Sequence, residues 1–391
     1  MGLRLRRKLV ACHDLYRVVY FLGLGFASTS YLLNAHLSNA QRPQYEAGLL
    51  GVTVENVRSI LAEDKGQRDT EVARQLSHLV LTERMSDAAL HSLEQKAPGI
   101  DSFRALVALA DASAFLGPAA EDVVSQAPPD LIEQRRMIAS TVDYLGKTLT
   151  KLPDFYASEI IVHYNGDPPG HGKRATRQDS PSWREMGSSK MVVTYRDGKE
   201  VVNPIEWGKH PSNPKDEGLI TKGTFGPMLT TVIVDAAHGE TTWNRWERGS
   251  AGTVAVFRYR VPENQSHYSA TIQGLSEQPT GYHGEMVIDP ATGSILRLTV
   301  QADPPLGSPI FKGDIMVEYG PIGIGGKTYI CPTRSVSISL TMAGLSDGTG
   351  AFGLTVRSEN AVLLNDVTFA DYHVFRSTSR ILDGDTPVPD H

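Results

Sequence analysis

The chain has 391 residues, 40% of them hydrophobic and 21% charged, with a formal net charge of −6. That is enough apolar chain for one large or two ordinary domains, and two cysteines, Cys12 and Cys331, exclude a disulfide-stapled scaffold. The acidic balance argues against a function built on nucleic-acid phosphate or an anionic lipid surface, both of which need clustered Lys and Arg.

Residues 1–40 read as a secretion signal. Arg4, Arg6, Arg7, Lys8 and Arg17 oppose one acid, Asp14, and the apolar run Val18–Leu33 follows. The run is diluted by Gly, Ser and Thr and falls short of the roughly 20 apolar residues a spanning helix needs. Ser38 and Ala40 place small residues where a signal peptidase inspects the chain, so cleavage is expected between Ala40 and Gln41. Retention as an anchor is the alternative; Asn34 and His36 interrupt the run and no cationic stop-transfer cluster follows. Arg6–Arg7 resembles a twin-arginine address, although such pairs are common in basic leaders. Cleavage leaves 33 bases against 43 acids, a net charge of −10, and one cysteine, Cys331. The expected location is the periplasm or beyond the cell.

A helical region is expected over residues 41–151. Val54, Val57, Ile60 and Leu61, then Val72, Leu76 and Leu79, recur at helical spacing, with Gly66 between the runs. Ser86 can cap a third helix, which Pro98 and Gly99 end, and a fourth carries Phe103, Leu106 and Val107. Asp130 opens the last helix, with Glu133 three residues on in a capping-box pattern.

From residue 152 to 382 the period changes to two. Val336, Ile338 and Leu340 alternate with Ser335, Ser337 and Ser339; Ile315, Val317 and Tyr319 alternate with Asp314, Met316 and Glu318. Each strand therefore reads as having one apolar and one wet face. Asp197–Gly198, Asp289–Gly293 and Gly325–Gly326 supply hairpin turns. A helix over residues 226–237 is expected to cover the sheet, and residues 383–391 read as a disordered tail. The fold class is α+β: an N-terminal helical region, then a curved, mainly antiparallel sheet of half-barrel type with a covering helix.

The chemical motifs fare poorly in context. Gly344-Leu345-Ser346-Asp347-Gly348 matches a hydrolase elbow, with His373 downstream as its partner, but an elbow joins strand to helix and here strands flank it. Gly325-Gly326-Lys327-Thr328 resembles a phosphate loop without the following helix. His283 and Glu285 can point the same way from one strand and His267 can join them across a hairpin, the nearest approach to a metal ligand set. No metal or cofactor is expected. Cys331 reads as a small buried apolar side chain. Phe257 and Tyr259 read as core, with Arg258 and Arg260 facing out.

The C-terminal part resembles the half-barrel of periplasmic lipoprotein carrier and sorting proteins. The resemblance rests on the long helix before the sheet, Tyr195-Arg196-Asp197-Gly198-Lys199, the segment Gly284–Pro290, and the segment Asn365–Tyr372. It covers about residues 130–380 and implies an apolar ligand such as an acyl chain on a concave face. Leu81–Ser86, Leu109–Leu116 and Leu152–Phe155 resemble phrases of an uncharacterised family of exported bacterial proteins, which implies no activity. The expectation is an exported, non-catalytic envelope protein that binds a lipid or lipoprotein-like ligand. The alternatives are an interaction module that docks an envelope partner through its helices, and a hydrolase using Ser346.

Overall fold

The computed structural model describes residues 51–63, 66–149, 151–166, 183–205, 223–270, 278–306, 308, 310–343 and 359–375. The expected signal, the Ser346 loop and the tail lie outside them. No helix among the described residues is long and apolar enough to cross a membrane.

Two short strands, β1 (Gly51–Val52) and β2 (Val80–Leu81), pair in parallel beside α1 (Val54–Glu63), α2 (Asp69–Ser77), α3 (Asp87–Glu94) and α4 (Ile100–Ala112). Ser86 caps α3 through the Ala89 amide at 3.4 Å. Asp69 caps the neighbouring helix, accepting the Asp101 and Ser102 amides of α4, each at 3.0 Å. The apolar stripes close on each other: Val57, Val72, Leu76, Leu93 and Leu106 are fully buried in one core. The Val72–Leu76 stripe is thus spent inside the helical layer and is not available to a partner.

After α5 (Leu131–Leu149), capped where Asp130 Oδ1 accepts the Glu133 amide at 2.8 Å, the chain enters the sheet. Its strands are β3 (Phe155–Gly166), β4 (Trp183–Arg196), β5 (Lys199–Ile205), then helix α6 (Pro227–His238), β6 (Glu240–Gly249) and β7 (Gly252–Val261). A small ribbon, β8 (Ser269–Ala270) with β9 (Gln278–Pro279), precedes β10 (Gly281–Ile288), β11 (Ile295–Asp303), β12 (Ile310–Ile324), β13 (Lys327–Ala343) and β14 (Glu359–Val374). The ten long strands form one curved, unclosed sheet in the order β5-β4-β3-β14-β13-β12-β11-β10-β7-β6, antiparallel throughout. The expected α+β half-barrel class is what the chain adopts, and α6 falls where the covering helix was expected. Left-handed residues fill the hairpin turns as read: Asp197 and Gly198 at φ 52° and 75°, Gly325 and Gly326 at 60° and 82°.

Over the middle of the sheet both faces are covered, which corrects the expectation of one wet face there, while Tyr156, Ile160 and Arg258 remain exposed on the outer face. On the inner face, Leu298, Val300, Ile315, Val317 and Tyr319 pack against α5 and α6. On the outer face, Met316, Val336, Ile338, Leu364 and Tyr164 meet Ala108 and Ala114, at and just beyond the end of α4. Ser335, Ser337 and Ser339 point inward and are buried. The alternation was right, but its polar side is interior. The helices α1 to α4 therefore lie on the outer side of the sheet, and of the N-terminal helices only α5 crosses to the inner side. The crossing runs around the β6 edge: Val123 bridges Glu247, and the indole of Trp246 donates to the Ala127 carbonyl at 2.9 Å. That segment shields an otherwise open strand edge.

Charge ties the helical layer to the outer face. Glu247 is buried and pairs with Arg84 from the helical layer, Arg245 at 2.7 Å and Arg297 at 3.3 Å. Arg245 also holds both oxygens of Glu285 at 2.7 Å. Further along, Arg334 pairs with Asp111 of α4 and with Asp366 at 3.0 Å. Burial alone would raise the Glu247 carboxyl, but Arg297, Arg84 and Arg245 outweigh it and hold the group below its ordinary value.

Candidate ligand site on the inner face

Two apolar clusters share the inner face. The larger joins Val142 and Leu145 of α5 and Leu229 and Val232 of α6 to strands β6, β7 and β10 to β12. The smaller gathers Phe155, Ile161, Val193, Tyr195, Phe369 and Cys331 around Phe225, from the loop that starts α6. Where they meet, a cavity of about 20 Å³ is lined by Leu145, Leu149, Phe225, Leu229, Tyr319 and Cys331, among others. It has room for about one water molecule.

Phe225 stands between this cavity and an aromatic cluster. Its ring lies 5.3 Å from Phe155, 5.4 Å from Phe369 and 6.0 Å from Tyr372, and Phe155 stacks on Tyr195 at 5.3 Å. Two residues earlier, Gly223 has φ +81°, a conformation other residues adopt only at a cost. The Glu200 carboxylate accepts the Gly223 amide at 2.9 Å and the Phe225 amide at 3.3 Å, which fixes the loop.

Polar side chains also face inward here. His163 Nδ1 lies 2.9 Å from Asn365 Oδ1, and Nε2 lies 2.9 Å from Ser189 Oγ. Both ring nitrogens thus have a hydrogen-bond partner. Glu159, by contrast, sits in register between Phe369 and Met191 and is 1% exposed, and its Oε2 has no hydrogen-bond partner. Burial, together with nearby Glu200, pushes its carboxyl up to about 7.

The residues singled out from sequence lie apart from one another. His267 Nδ1 contacts buried Asp235 at 2.5 Å, and that carboxylate also accepts the Tyr282 hydroxyl at 2.9 Å. His283 and Glu285 do share the outer face, but His283 pairs with Asp303 at 2.9 Å while Glu285 is held by Arg245. No group of three metal-ligating side chains occurs among the described residues. His373 is exposed and packs on Tyr156 with ring centroids 5.2 Å apart. Burial pushes the Cys331 thiol up to about 12, in keeping with a core side chain. Glu159 and Phe225 escaped motif reading; the available signal was a lone acid at an inward position of the apolar stretch Phe155–Val162.

The class of protein so defined is an open α+β half-barrel with helices on both faces and a small apolar cavity under two of them. No protein-family model matches the chain, and no curated protein matches it. Among solved structures it is similar to a DUF1329 family protein from Desulfovibrio piger, at 7% identity and TM-score 0.28, covering 61% of this chain and 92% of that one. It is also similar to a LolA superfamily protein from Nitrosomonas europaea, at 10% identity and TM-score 0.25, covering 60% and 93%.

Proposed function

We propose that the chain is an exported binding protein that holds the apolar part of an amphipathic, lipid-like ligand between the α5–α6 layer and the inner face of the sheet. The observation that supports this most is the unfilled apolar space where the two inner clusters meet, bordered by Phe225. Closed, that space holds no acyl chain. Turning the Phe225 ring outward would join the cavity to the aromatic cluster, and each methylene then buried would contribute about 0.8 kcal/mol. The basic, apolar and small-residue sequence of the leader supports export.

Native mass spectrometry of the protein purified from its own envelope tests the reading. An adduct of lipid-like mass, lost on organic extraction and replaced by decanol at one equivalent, is the expected result. A folded protein with no adduct that takes up no decanol would overturn it.

A further inference from the structure

We propose that Glu159 receives the polar head of that ligand, and that the head is a cation of ammonium type rather than a carboxylate or phosphate. The inference rests on the ligand reading above. Glu159 is enclosed by apolar neighbours, with Phe369 and Met191 across from it on the flanking strands and Ala157 and Ile161 on its own. Among the described residues no lysine or arginine pairs with it, and one carboxyl oxygen is buried without a partner. Such a group is costly to keep unless something meets it.

What could meet it is constrained by its surroundings. The second carboxylate on this side, Glu200, is turned to the Gly223 and Phe225 amides and adds negative potential. The rings of Phe155, Tyr195, Phe225, Phe369 and Tyr372 lie on the same side, and aromatic faces attract cations. An anionic head would meet the carboxyl of Glu159, which Glu200 already pushes toward its neutral form. An ammonium head would restore the charged form of Glu159 and satisfy its orphaned oxygen. The chain of the same ligand would run past Phe225 into the cavity.

Calorimetric titration at pH 8 with decylammonium, decanol and decanoate, which share one chain, is the test. The wild type should bind decylammonium about tenfold more tightly than decanol, the size of one desolvated charge-assisted hydrogen bond, and decanoate more weakly than either. In Glu159→Gln the decylammonium advantage over decanol should vanish. Glu159→Met, apolar and of similar length, should behave alike and serves if the glutamine variant folds poorly. A decylammonium preference that survives both variants would come from overall acidity and overturn the proposal, as would decanoate binding equal to decylammonium. In those cases decanol binding leaves the ligand reading standing; failure of all three amphiphiles overturns both.

Discussion

At the residue scale, Glu159 sets a measurable signature on stability. Its folded carboxyl titrates near 7, against an ordinary glutamate value of 4.5, so the unfolded chain releases its proton first as pH rises. A raised carboxyl destabilises the fold increasingly between those values and fully above them, by about 3 kcal/mol for a shift of this size. Of the charged groups near it, Glu200 of β5 pushes in the same direction. Glu159→Gln should therefore stabilise the ligand-free protein by up to about 3 kcal/mol at pH 8 and by very little at pH 4. Urea unfolding at the two pH values checks this, and an equal effect at both would show that the carboxyl is solvated. The sequence carried this feature only faintly. Alternation put Glu159 on one face of its strand, but the decision that this face is interior comes from α6 and its loop, which are some 65 residues away in the chain.

At the scale of elements, local chemistry was legible and its long-range use was not. The Asp130 and Ser86 caps and the Asp197–Gly198 and Gly325–Gly326 turns follow from side-chain and φ preferences that act within a few residues. The two-sided cover of the sheet did not follow, because serines 335, 337 and 339 look the same in a strand whether they meet water or a polar interior. Gly293 shows both levels. Its φ of +77° is the turn requirement visible in the sequence, but a Cβ there would also stand 2.6 Å from the backbone of Ser140 in α5. Gly198 has a similar φ, +75°, and open space around it. Gly198→Ala should thus cost only the left-handed penalty of about 1–2 kcal/mol, whereas Gly293→Ala should cost clearly more. Thermal unfolding of the two variants compares them directly, and equal losses would mean that α5 does not rest on the β10–β11 turn.

At the scale of the whole molecule, the two layers are attached to the sheet by different forces. The inner layer, α5 and α6, merges its side chains into the main apolar core. The outer layer, α1 to α4, has a core of its own and reaches the sheet through alanines and Phe115, with charge pairs making up the rest. Glu247 is the centre of that attachment, since Arg84, Arg245 and Arg297 converge on its one carboxylate. Removing one partner from a buried ionic group strands the others and costs about 3–5 kcal/mol. Glu247→Gln should therefore loosen the outer layer first: amide exchange should quicken across residues 54–112 as a unit, while β10 to β12 keep the protection of the wild type. Acid should mimic the variant. A carboxyl held below its ordinary value stabilises the fold above about pH 4.5, and that contribution is lost as pH falls through the depressed folded value. If exchange instead rises evenly over helices and sheet in Glu247→Gln, the outer layer is not a separate unit, and the pairs at Arg84 and Arg334 hold together a single cooperative body.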